Sequence, residues 1–500
     1  MRPNIDANRS GGQWEKKSFE DMNNYEKGLE LAQAGKYSQA LEFMLDYLKS
    51  AGESADVLND TGAILHCLGR SNEAIDYFLK ARDIKNDSAE ILWNLVEAYL
   101  ADEKPAEAVQ YFDEMEQMLI MNADLLNRTA NVFLNQQNKA GAIEMLLRSL
   151  NILPEQKILF PMIEVIRSKR PKVAFFCGGD GMNFLDDIYR FIEQRFEVRL
   201  FEGKSENELY ELMQWSDISW FEWCTDLAAI GSQKPKVCEN IIRLHRYEAY
   251  IHWPQLIDWS NIDYLMTVGN SFVKDALMRA VPDIKNHTKI ITIPNGVNLE
   301  KYHYIDRRRG KNIAFLSNIR MVKNPSLILQ CMQKLHYIDP EYRLFFAGHF
   351  QDLSLEQYMR HMVKALGLQN VVVFDGWQAD INRWLADKHY IVSTSTIESQ
   401  GMGILEAMAC GLKPVIHNFP GAEQIFSSEY LFNISEEFCQ QIISESYEPK
   451  RYRNFVEEKY PLKKQLSNIN NLFNQIEEKI EINKGNKERA FLSAEVPEPV

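Results

Sequence analysis

Glu398 and Glu406 stand eight positions apart in STSTIESQGMGILEAMACGLKPVIHNFP, residues 393–420, with Gly401 and Gly403 between them. Carboxylates accept hydrogen bonds from donor-rich diols. An apolar strand pattern, Tyr390 to Ser393, leads into the loop, and an Ala-rich helix pattern leads out of it. Such a turn brings backbone N–H groups and the positive end of a helix dipole to one point, where a diphosphate can sit, and glycines let it come close. Glu398 can then hold hydroxyls on one side of that diphosphate and Glu406 those on the other, one set on a sugar and one on a ribose. Two glutamates at this spacing also arise by chance in a chain this rich in acid. What sets this pair apart is its place in one strand-loop-helix-strand unit that closes with Pro414 to His417;.

The segment resembles the paired-glutamate signature of retaining glycosyltransferases of family four, which have the GT-B fold. ITIPNGVNLEKY, residues 291–302, resembles the crossover between the two halves of that fold, and FLSNIRMVKNPSLIL, residues 315–329, resembles its phosphate-binding strand-loop-helix. The resemblance implies that Arg320 and Lys323 neutralise a donor diphosphate, although only two residues separate them, fewer than is usual in the family. It also implies donor contacts from Gln400, Gly401, Met402 and Gly403, and metal-independent chemistry without a cofactor. RLFFAG, residues 343–348, and VVVFDGW, residues 371–377, read as buried strands ending in glycine, where open parallel sheets bind ligands;. Gly376 and Trp377 match the family's turn beside the nucleobase; the indole suits stacking on a base or ordinary core or rim packing.

Upstream, KVAFFC, residues 172–177, is a buried-strand pattern running into Gly178, Gly179, Asp180 and Gly181, and Phe184 to Ile192 reads as an amphipathic helix;. The glycines suit a tight turn or a contact with donor or acceptor. Ile218 to Trp223, Ile241 to His245 and Tyr264 to Val268 are further strand candidates. His245 falls at a strand end, where the family places a histidine near the sugar; an imidazole there can donate to a hydroxyl or handle a proton. Arg246, Tyr247 and Glu248 are placed to meet an acceptor. Arg307, Arg308 and Arg309 read as a solvated loop rather than a phosphate site.

The elements ahead of this belong to another class. Ala40, Ala74, Ala108 and Ala142 recur every 34 residues, in register with Gly28, Gly62, Val96 and Ala130 and with Met44, Phe78, Phe112 and Leu146. A small residue on each helix of a pair allows close approach and a bulky one fills the gap to the next pair, so the period predicts stacked helical hairpins. About four such units resemble tetratricopeptide repeats, with Pro154 at the end of the last. The resemblance implies a concave surface for a protein partner; a dimerisation or solubility module is the alternative.

Five hundred residues with 45% hydrophobic and 25% charged residues describe a globular chain with substantial cores;. The net charge of -14 argues against nucleic acid as a partner;. Cys67, Cys177, Cys224, Cys238, Cys331, Cys410 and Cys439 form no CxxC pair or zinc spacing, which suits a reduced cytoplasm;. The first residues lack a secretory core and no apolar run reaches membrane-span length, so contact with a membrane is expected to be peripheral.

The expected organisation is a disordered 1–19, tetratricopeptide repeats over 20–168, an amino-terminal Rossmann-like domain over 169–295, a donor-binding Rossmann-like domain over 296–448, a crossover helix over 449–482 and a disordered tail over 483–500. The fold class is α/β GT-B preceded by an all-α repeat array. The expected activity is retaining transfer of a sugar from a nucleotide sugar to a protein or glycan acceptor, with Glu398 and His245 catalytic. The rival reading is a noncatalytic adaptor on a degenerate GT-B scaffold.

Overall fold

The computed structural model describes residues 19–179 and 181–494. The segment before Phe19 and residues 495–500, both expected to be disordered, and Asp180 of the glycine loop lie outside the described residues. The chain divides after Arg170 into two compact units.

The first unit is a series of antiparallel helix pairs. Phe19–Gln33 pairs with Tyr37–Ala51, Ala55–Cys67 with Ser71–Ile84, and Ala123–Asn135 with Lys139–Ile152; in the third pair, Ala89–Ala101 faces a helix broken into Pro105–Val109 and Phe112–Gln117. A further helix, Leu159–Arg167, follows the last pair. The 34-residue register is physical: Ala40, Ala74, Ala108 and Ala142 are wholly buried, as are Met44, Phe78 and Phe112. A Cβ on Gly62 would lie 2.7 Å from the Phe78 ring, so the small position exists to admit the bulky one. Two further columns share the period. Ser54, Ser88 and Asn122 cap successive first helices by accepting from the N–H of Val57, Ile91 and Leu125;. Gly35, Gly69, Glu103 and Gln137 make the left-handed turn inside each pair, with φ of 74, 75, 57 and 61°;.

The second unit contains two six-stranded, wholly parallel sheets. Strands β1 (Lys172–Cys177), β2 (Glu197–Leu200), β3 (Ile218–Glu222), β4 (Glu239–Leu244), β5 (Tyr264–Thr267) and β6 (Lys289–Thr292) run in the order β2-β1-β3-β4-β5-β6. Strands β7 (Asn312–Leu316), β8 (Arg343–Ala347), β9 (Val372–Gly376), β10 (Tyr390–Ser393), β11 (Lys413–His417) and β12 (Leu431–Phe432) run in the order β12-β11-β10-β7-β8-β9. Helices cover both faces, which is why β3 and β10 are buried along their whole length;. This is two Rossmann-like halves, the GT-B architecture.

The halves are joined twice, side by side. Val297 donates to the carbonyl of Tyr460 (2.8 Å) and Leu462 to that of Val297 (2.9 Å). A Cβ on Gly296 would sit 2.4 Å from Leu462 Cα, so only glycine lets the two connections touch. The single crossover helix expected over 449–482 is instead two, Pro449–Lys459 and Leu462–Ala494, parted at Tyr460 and Pro461. Pro461 has no N–H to continue a helix, and its neighbours pair with Val297. The second helix returns to the first half, where Ile469, Leu472, Phe473 and Ile476 bury against Phe196 and Trp220. It continues to Ala494, so the disorder expected from residue 483 is corrected as far as that residue. Among the described residues, no helix is long and apolar enough to cross a membrane.

The arginine run differs from expectation as well. Arg307 is buried and donates to the carbonyls of Cys410, Leu385, Ala386 and Lys388, which terminate two helices. Arg309 donates to the carbonyls of Ile442 and Ile443, and Arg308 alone is exposed without such a role. Cations at helix carboxyl ends meet the negative end of the dipole.

Candidate active site

The carboxyl ends of β7 and β10, together with that of β4 in the other half, place four charged side chains around one point. After β7, a tight turn at Met321–Lys323 ends on Asn324 in the left-handed conformation (φ 46°). Thr394 holds that turn by donating to the carbonyls of Lys323 (3.0 Å) and Asn324 (2.9 Å). The compact turn is what lets Arg320 and Lys323, only two residues apart, serve one site. Lys323 forms an ion pair with Oε1 of Glu398, and Ser395 donates to the same oxygen at 2.7 Å. From the other half, Arg246 lies 3.6 Å from Oε2 of Glu398 and donates to the carbonyl of Ile397 at 3.1 Å.

Glu398 is buried, which alone would raise its pKa; the Lys323 ammonium and the Arg246 guanidinium together hold it below the usual carboxylate value;. Arg320 stands beside this group with its Nε buried and without a hydrogen-bond partner. Burial and the neighbouring Arg246 guanidinium pull it below its ordinary value. Three cations facing one carboxylate leave an excess of positive charge, the setting in which an anion is stabilised.

Glu406 lies one turn into the helix Met402–Ala409 and accepts from the hydroxyl of Tyr302, on the crossover. Burial raises its pKa, an effect only partly offset by Tyr302 and Lys301. Gly401 precedes that helix in a left-handed conformation (φ 78°), and a Cβ on Gly403 would meet the carbonyl of Leu316 at 2.9 Å. Both glycines therefore lay the helix start against the end of β7. The Met402 side chain is partly buried and packs against the core beneath.

In the first half, His245 follows β4 with 6% of its surface exposed, its ring packed against Trp223 (centroids 4.1 Å apart) and Phe184 (4.9 Å). Its Nε2 lies 2.7 Å from Oε1 of Glu222. Glu222 also accepts from Arg243 (3.0 Å) and from the indole of Trp220 (2.8 Å). Despite complete burial, which works against the charge, Arg243 and His245 hold this carboxyl at about 2. Glu248 fixes the turn beyond, accepting from the N–H of His245 (3.0 Å) and of Arg246 (2.9 Å).

Gln400 differs from its expected role in donor contact. Its amide donates to the carbonyl of Asn295 and accepts from the N–H of Asn295, each at 2.7 Å, so both ends of the side chain are taken by the crossover. Asn270 adds another link between the halves, bonding to the carbonyls of Glu398 (2.8 Å) and Ser399 (2.9 Å). Trp377 is 63% exposed and lies parallel to the ring of His349 (5.8 Å, 5°), which decides against core packing. Gly376 takes φ 73° at the end of β9. Gly178 and Gly179 leave space in which a Cβ would meet nothing closer than 3.7 Å. Among the described residues, no group of three His, Cys, Asp or Glu side chains could hold a metal ion.

Glu222, Arg243, Tyr302 and Asn270 are absent from the sequence-based expectation. A signal existed for the first two. Each is a charged residue in an otherwise apolar run, and they are register partners in the β3–β4 pairing.

Comparison with known proteins agrees with this architecture. Residues 306–459 match the family described as Glycosyl transferases group 1, and residues 25–89 match the Tetratricopeptide repeat family. The GDP-mannose:cellobiosyl-diphosphopolyprenol alpha-mannosyltransferase of Xanthomonas campestris is 28% identical over 136 residues, covering 27% of this chain and 36% of that protein. The alpha-monoglucosyldiacylglycerol synthase of Streptococcus pneumoniae is 22% identical over 210 residues, covering 37% and 47% respectively. The chain thus spans between about a third and a half of these relatives' lengths. Among solved structures, Anabaena Alr3699/HepE in complex with UDP and glucose superposes with a TM-score of 0.50 at 14% identity, covering 61% of this chain and all of that one.

Proposed function

We propose that this chain, a tetratricopeptide-repeat segment joined to a group 1 glycosyltransferase of GT-B fold, transfers a sugar from a nucleotide diphosphate sugar to a protein or glycan acceptor with retention of configuration. The observation that carries the reading is the excess of positive charge at Arg320, Lys323 and Arg246 around buried Glu398. A leaving diphosphate develops negative charge as the glycosidic bond breaks, and fixed cations aimed at that charge are the largest aid such a step can receive. Arg320, with its unpaired buried N–H, and Lys323 are assigned to the diphosphate, so the chain itself supplies the charge that a metal would otherwise bring.

Glu398 is assigned to a sugar hydroxyl and Glu406 to the ribose. Lys323 then exchanges its carboxylate partner for phosphate, which frees an oxygen of Glu398 for the sugar. His245 faces the sugar from the opposite half. Trp377, exposed beside His349, is assigned to the base, with Gly376 shaping the turn. Gly178 and Gly179 stay with the donor by virtue of the open space beside them. No covalent nucleophile is assigned: the acceptor attacks on the face the diphosphate leaves, helped by that phosphate. The repeat segment is proposed to hold a protein partner or acceptor.

The test begins with thermal shift in UDP and in GDP, because a ligand that binds only the native state raises its melting temperature. A shift with one nucleotide, lost in Arg320→Ala, is expected. Turnover is then followed by mass spectrometry over a panel of nucleotide sugars with cell extract. Absence of any nucleotide shift and of any product would overturn the reading in favour of an adaptor.

A further inference from the structure

We propose that Glu222 is a positioning residue that fixes the imidazole of His245 in its Nε2–H form, so that Nδ1 offers a lone pair to a substrate hydroxyl. The inference rests on the reading above for the hydroxyl, but its chemical core is a property of the protein alone.

The argument starts from what surrounds the carboxylate. Three donors converge on Glu222: Arg243 Nη1 at 3.0 Å, Trp220 Nε1 at 2.8 Å and His245 Nε2 at 2.7 Å. The first two are donors only. A carboxylate held ionised by a buried guanidinium has no proton to give, so the short contact with His245 requires that Nε2 carry the hydrogen;. In the neutral ring Nδ1 is then bare. Among the described residues it has no protein partner, and it is not one of the buried atoms lacking one, so it reaches the small exposed edge of the residue. Trp223 and Phe184 pack against the ring from adjacent sides, themselves in edge contact at 6.0 Å, and Glu248 holds the backbone N–H, so the ring and the turn are both restrained.

The positions of these groups also suggest why so costly an arrangement is kept. Trp223, packed at a tilt against the ring, takes φ 82°, a conformation unfavourable for a bulky residue, and its indole N–H is buried without a partner;. Two fully buried charges, Glu222 and Arg243, stand beneath it at the end of β3 and β4. A core built for stability alone would hold apolar residues here, since replacing a buried ion pair by packed hydrophobes is often neutral or better. The outcome of the arrangement is a bare ring nitrogen at a fixed place. A neutral imidazole presenting Nδ1 accepts a hydrogen bond, so the partner is a hydroxyl that donates, on the sugar or on the acceptor, and not a carbonyl or phosphate oxygen.

The test is nitrogen NMR on the full-length chain labelled with [15N]histidine, with His245 assigned by its disappearance in His245→Asn. Wild type is expected to show protonated Nε2 and bare Nδ1 at pH 8, and Glu222→Gln to show a mixture of tautomers. In the transfer assay, with the nucleotide sugar that supports turnover, Glu222→Gln is expected to lower kcat by about 100-fold while donor KM changes less than about twofold. Protonated Nδ1 in the wild type, an imidazolium persisting at pH 8, or a Glu222→Gln variant with unchanged tautomer and kcat would each overturn the proposal. Should Glu222→Gln not fold, the wild-type spectrum decides by itself. Failure to find any transferred sugar would count against the transferase reading and leave the tautomer result standing.

Discussion

Lys323 and Glu398 meet as an ion pair although they come from two different strand ends, β7 and β10, and the glutamate oxygen that Lys323 holds is the one Ser395 also reaches. A donor diphosphate competes for that ammonium. Lys323→Ala is expected to lower kcat by roughly 10²- to 10³-fold, the range for removing one charge-stabilising donor, and to abolish the nucleotide-induced rise in Tm. The fold should persist, because Ser395 and Arg246 still serve Glu398. Steady-state kinetics with saturating donor, together with circular dichroism, checks both halves of this expectation.

Acid should weaken the first half of the GT-B unit through Glu222. Its folded value of about 2 lies below the model-compound value of 4.5, so its contribution is fully present above 4.5 and is lost as the pH falls toward 2;. The difference corresponds to about 3 kcal/mol at neutral pH. Glu222→Gln should therefore be less stable than wild type by an amount of that order at pH 7, and the gap should have roughly halved near pH 3. Urea titrations followed by the fluorescence of Trp220, which donates to Glu222, provide the measurement.

Substitution at the joint is expected to be severe for its size. Gly296→Ala places a methyl 2.4 Å from Leu462 Cα, where backbone has to move. Overpacking of this kind costs about 1–3 kcal/mol. A lowered Tm with loss of turnover is expected, while Gly179→Ala, which meets nothing within 4 Å, should leave Tm unchanged.

In the repeat segment the sign reverses. Gln137 occupies the left-handed turn that Gly35 and Gly69 occupy in earlier repeats. Gln137→Gly relieves a strain of about 1–2 kcal/mol against a smaller loss of chain entropy, and should raise stability by about 1 kcal/mol. Gly69→Ala should lower it. Urea midpoints followed by helical circular dichroism separate the two.

Much of this architecture was legible in the chain because local chemistry and global fold agree. Tyr390 to Ser393 and Lys172 to Cys177 are strands with the bounds their apolar runs suggest, and the alanine column fixed the helical pairs. The paired glutamates and the basic pair were readable because a loop between strand and helix gathers them from nearby positions. What escaped was long-range. Gln400 looked like part of a ligand loop, yet its amide is satisfied by Asn295, over a hundred positions away in the chain. Arg307 looked solvated because its partners are backbone carbonyls, which carry no sequence signature. β2, a short edge strand of mixed polarity, offered too little pattern to be seen.

The clasp between Gln400 and Asn295 bears on how the cleft behaves in time. One planar amide grips both the N–H and the carbonyl of a single residue, while Arg243 holds that residue's side chain from the first half. Separating the two residues gives up both amide bonds, so opening at this seam is opposed by two hydrogen bonds held by one side chain;.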